Sequence, residues 1–88
     1  MDNNDFIKLA KQAVVDYFND RGYVIGDKQP LTTDDVYVVW LVKVLQNNKA
    51  LLSTTFPDGR YYEFTLDGGK NRGYLDVYAK QNNVVVPV

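Results

Sequence analysis

The sequence predicts an α+β fold, an N-terminal helix packed on an antiparallel four-stranded β-meander. Three observations lead there. Apolar residues recur at helical spacing only between residues 4 and 20. From Val36 onward, β-branched and aromatic residues dominate. Turn-forming residues then cut that second stretch into four runs. With 88 residues the chain fits one domain, residues 1–88. An apolar share of 45% against 24% charged places it among globular rather than disordered chains.

The helix is expected over about 4–20. Phe6, Leu9, Ala10, Ala13, Val14 and Tyr17 fall on one stripe of a 3.6-residue period, with Ile7 and Phe18 at its edges. Asn3 or Asn4 suits the N-cap, and Asp5 suits the positive end of the helix dipole. Arg21 and Gly22 mark the end. Lys8, Lys11, Gln12, Asp16 and Asn19 form the solvated face.

Residues 22–35 read as a connector, broken by Gly26 and Pro30 and pinned to the core by Tyr23, Val24, Ile25 and Leu31. Thr32-Thr33-Asp34-Asp35 supports one helical turn and no more.

Four strands follow, at about 36–46, 49–56, 60–66 and 73–81. Asn47-Asn48 suits a two-residue hairpin loop, because Asn tolerates positive φ. Phe56-Pro57-Asp58-Gly59 suits a type I turn with Gly59 left-handed. Asp67 to Gly73 is a longer connection in which Gly68 and Gly69 are expected to supply positive φ.

Those loops set a register. Lys43 should face Leu52, Leu41 should face Thr54, and Ala50 should face Leu66. One sheet face then carries Val39, Leu41, Leu45, Ala50, Leu52, Phe56, Tyr62, Phe64 and Leu66, joined by Leu75, Val77 and Ala79, and should meet the helix. Lys43 is the misfit there. The other face carries Val38, Trp40, Val42, Val44, Leu51, Ser53, Thr55, Tyr61, Glu63, Thr65, Tyr74 and Tyr78. A single helix covers only one face, so this second face needs the tail 82–88, with its four valines, or a second subunit.

The residues 35–40, 45–55 and 57–63, with Leu45-Gln46-Asn47-Asn48-Lys49-Ala50-Leu51 at their centre, resemble a family of small uncharacterised proteins encoded by phages and prophages of Gram-positive bacteria. Tyr74-Leu75-Asp76-Val77-Tyr78 extends the likeness, which covers most of the chain. The resemblance implies a phage or prophage accessory protein in the cytoplasm of a bacterial host. It implies no catalytic or binding residue.

Composition narrows the function. With no cysteine and no histidine, a disulfide scaffold, a thiol nucleophile, a structural zinc site and a histidine base are all excluded. No metal or other cofactor is expected. Residues 1–20 carry charges throughout, which breaks any signal-type apolar run. The run Val36–Val42 is far short of the about 18 residues that span a membrane. The acids Glu63, Asp76, Asp58, Asp67, Asp34 and Asp35 show no nucleophile–base arrangement, so catalysis is not expected.

Two binding readings remain. In the first, the chain is a protein–protein interaction module, self-associating as a dimer and able to bind a host or phage protein. Its surface would be Val38, Trp40, Val42, Val44 and Tyr61, since Trp and Tyr bury large areas yet tolerate a wet edge. In the second, Tyr74 and Tyr78 stack single-stranded bases while Lys49, Arg60, Lys70, Arg72 and Lys80 hold phosphates. A pI near 5.1 argues against the second, as do Glu63 and Asp76, which would oppose phosphates on the same side.

Overall fold

The computed structural model describes residues 2–21, 30–56 and 59–87. Helix α1 spans Asn3–Asp20, and one 3₁₀ turn spans Thr33–Asp35. Strands β1 (Val36–Val44), β2 (Asn47–Thr54), β3 (Arg60–Asp67) and β4 (Arg72–Ala79) form one antiparallel sheet in the order β1-β2-β3-β4. The α+β meander expected from the sequence is the fold observed. Gly22 and the pinning residues Tyr23, Val24 and Ile25 lie outside the described residues, as do Pro57 and Asp58.

The helix starts one position before the expected asparagines. Asp2 is the N-cap, and its carboxylate accepts from the Asp5 N–H at 2.8 Å. A charged acceptor at this end also favours the helix dipole. The buried line is Phe6, Ala10, Val14 and Phe18, with Val15 beside it. Leu9 is exposed instead of central, and Phe18 is fully buried instead of marginal. The aromatic contacts decide this rotation. Phe18 meets Phe56 edge-on at 5.2 Å, Phe6 lies 5.8 Å from Phe64, and Tyr17 meets Tyr62 at 6.3 Å.

Asn19 does not belong to the solvated face. Its amide donates to the Leu31 carbonyl, and its carbonyl accepts from the Leu31 N–H, both at 3.1 Å. This pair satisfies both backbone groups of Leu31, which is itself buried. Replacing Asn19 by Ala leaves them unpaired and is expected to cost about 1–3 kcal/mol, read as a lower urea midpoint at unchanged slope. The following turn is closed by Asp35, whose carboxylate accepts from the Thr32 N–H and hydroxyl at 3.0 and 3.1 Å.

The register differs from the expected one, by an even step between β2 and β3 and along β1 from Trp40 to Val44. Lys43 faces Asn48 rather than Leu52, and Leu41 faces Ala50 rather than Thr54. Ala50 faces Phe64 rather than Leu66. The hairpin loop is Leu45-Gln46, and Leu45 takes the positive φ, 56°, that an asparagine was expected to take. Asn47 and Asn48 lie in β2 instead. There Asn47 accepts from the Gly68 N–H at 3.3 Å, tying two loops together, and Asn48 is buried.

Gly59 does adopt the left-handed conformation, φ 70°. Gly68 and Gly69 do not, and Asn71 (φ 52°) does so in their place. Gly68 is required for another reason. A Cβ there would run into the Gln46 carbonyl oxygen of the neighbouring loop.

Even shifts preserve the faces, so Ala50, Leu52, Tyr62 and Phe64 all point to the helix and are buried. One odd step remains. The β1–β2 register moves by one residue between Val38 and Trp40, which makes Val39 a β-bulge. The bulge turns Val36 and Val38 toward the helix, and both pack in the core. Val38 is therefore removed from the outer face on which the sequence placed it, and Tyr37 takes a place there. Leu41 and Leu45, expected under the helix, are exposed: Leu41 lies on the edge strand β1 and Leu45 in the hairpin loop.

Candidate interaction surface

The helix and the sheet make two layers, and the molecule is a slab 19 Å thick and about twice that in its other dimensions. The buried apolar residues among those described form one cluster, built where helix and sheet meet. Among the described residues, no further layer lies on the outer sheet face. Residues 82–87 are exposed and belong to no strand, so they neither cover this face nor extend the sheet.

Cross-strand pairing arranges the outer face in rungs. Val44, Asn47, Asp67 and Arg72 make the rung at the hairpin end. The next is Val42, Lys49, Thr65 and Tyr74, followed by Trp40, Leu51, Glu63 and Asp76. Beyond these, Tyr37 faces Ser53 and Tyr61 faces Tyr78. Trp40 is 40% exposed, Val42 41%, Val44 59%, and Tyr61, Tyr74 and Tyr78 are exposed to similar degrees. Four of the five residues read from the sequence as an interaction surface thus share one open face. The fifth, Val38, is turned inward by the bulge.

The face is uneven in charge. Its β1 side carries no charged group. Its β3–β4 side sets Glu63 directly opposite Asp76, a like-charge pair that costs rather than gains. Lys49 reaches Glu63 from β2, with Nζ 3.4 Å from Oε1. Among the described residues no cation pairs with Asp76.

The cations proposed for phosphate do not converge. Lys49 is engaged by Glu63, and Arg72 sits opposite Asp67. Arg60 alternates with Tyr61 and so turns to the helix side of β3. Lys70 lies in the β3–β4 turn, where its backbone N–H donates to Asp67. Lys80 follows β4 and donates its N–H to the Gly59 carbonyl. The tyrosines therefore surround two carboxylates rather than a basic track. A shallow concavity lined by Val42, Val44, Asn47, Lys49 and Thr65 lies on the same face, toward the hairpin end.

Among the described residues no cluster of three or more acidic, histidine or cysteine side chains is placed to hold a metal ion. No described helix is long and apolar enough to cross a membrane. Sequence reasoning missed Tyr37 on this face, because the bulge that puts it there lies in a run of valines with no glycine to signal it.

No curated protein and no solved structure matches the chain. Residues 7–88 match the model of the family of unknown function DUF6275, and the chain belongs to that family.

Proposed function

We propose that this protein is a small, non-catalytic interaction module that docks through the helix-free face of its sheet, in the first place onto a second copy of itself. One observation carries the reading: Trp40, Val42 and Val44 stand exposed in a row, backed by Tyr61, Tyr74 and Tyr78, on a face that no part of the described chain covers. Contiguous apolar surface of this kind, rimmed by polar groups, marks an interaction site. Aromatic residues at its centre are the usual anchors of such contacts. An accessory role for a phage or prophage, in the bacterial cytoplasm and against a host or phage protein, is the context that the sequence resemblance supplies.

The test is the solution mass. Light scattering over a range of concentrations is expected to give twice the mass of 10.1 kDa. A constant monomer mass at high concentration removes self-association from the proposal. Labelled single-stranded oligonucleotides are expected not to bind even at low salt, since Glu63 and Asp76 repel phosphate from the centre of the tyrosine cluster. Tight binding that falls steeply with salt would transfer the face to nucleic acid.

A further inference from the structure

Resting on the self-association reading, we propose that the outer edge of β1 takes up the C-terminal tail of a second copy, with Val84-Val85-Val86 added as a fifth strand beside Trp40–Val44.

One chain carries both halves of this contact unused. The order β1-β2-β3-β4 leaves β1 an edge strand, paired among the described residues with β2 alone. An edge presents a row of backbone N–H and C=O groups ready to bond another strand. The two edges of this sheet differ. β4 carries Arg72, Gly73 and Asp76 and is followed by Lys80, residue types that blunt an edge or weaken a strand. From Trp40 to Val44 the one charge on β1 is Lys43, and the pairing there is regular, with the bulge behind it.

The tail is the counterpart. Residues 81–87 hold no charge and belong to no strand, and Val84, Val85 and Val86 are 73%, 90% and 71% exposed. Consecutive valines are strand formers. Pro87 follows them, and proline is tolerated at the margin of an edge strand. Alternation would send Val85 to one side of the sheet and its two neighbours to the other, beside Leu41 or beside Trp40 and Val42, all exposed in the single chain.

The tail cannot serve its own β1. β4 ends at Ala79, three residues past the rung that Asp76 shares with Trp40. A fifth strand outside β1 lies four strand spacings from β4, about 19 Å across, and about 21 Å away once the offset along the strands is included. The five residues from Ala79 to Val84 span at most about 18 Å. Val84 falls short, and Val85 arrives only with the chain taut and crossing the strands. Laying all three valines along β1 therefore takes a second molecule.

The test uses the full chain and labelled synthetic peptides of residues 80–88. The unmodified peptide is expected to bind saturably and, in excess, to bring the light-scattering mass down to that of one chain. In an added strand, alternate residues turn their N–H groups to the neighbour. A peptide N-methylated at Val85 and one N-methylated at Val84 and Val86 are therefore expected to differ: one keeps its affinity within twofold, and the other loses at least tenfold. Equal affinity of the two methylated peptides marks apolar adhesion and overturns strand addition. A self-associating chain that binds no peptide overturns it too, and leaves association through the open face standing. Monomeric mass for the parent chain at high concentration overturns both.

Discussion

Trp40→Glu is expected to yield a folded monomer. The indole is 40% exposed and lies outside the helix–sheet core, so the melting curve should move by about 1–2 kcal/mol equivalent, less than a core truncation costs. Association should suffer far more. A central aromatic anchor is worth about 2 kcal/mol or more, which is roughly a 30-fold or greater weakening. The added carboxylate also puts a charge into the apolar part of the proposed contact. Sedimentation equilibrium and a thermal melt on the same sample separate the two effects. An unchanged dimer constant would show that the face is not the docking surface. A variant that does not fold would show that Trp40 supports the core after all.

Phe18→Ala is expected to have the opposite profile. Phe18 is fully buried at the C-terminal end of α1, with its ring edge-on to Phe56 at 5.2 Å. Truncation removes the ring and leaves a cavity between helix and sheet, at a cost of about 3–5 kcal/mol. A domain of this size has little more stability than that to lose. The melting temperature should fall by about 15 °C or more. A loss below about 1 kcal/mol would mean that the helix does not clamp the sheet at this point.

Much of the fold was legible because its signals are local. The apolar period over residues 4–20, the β-rich run from Val36, and the turn residues near 57–59 and 67–73 each report their own element. What escaped was set by contacts between elements. Asn47-Asn48 looks like a loop by propensity, yet Asn47 is used to hold the Gly68 N–H, and the strain of positive φ falls on Leu45 instead. Asn19 looks solvated on a helical wheel, yet it secures Leu31, twelve positions further along the chain. Gly68 looks like a residue chosen for its backbone freedom, but what it provides is clearance for the Gln46 carbonyl. The open face was legible for a simpler reason: the strands carry apolar residues on both sides, and the sequence contains one long helix to cover them.

The extra residue at Val39 reaches beyond local geometry. In an unbroken strand, Val36, Val38, Trp40, Val42 and Val44 would all point the same way, so the strand would either close the interior or arm the outside. The bulge splits these duties. The first two valines seal the helix layer, and the tryptophan and the last two valines are delivered to solvent. A chain that held Val39 in regular pairing, with no bulge, would have to choose, and would be left with either a hole in its interior or a blank outer wall.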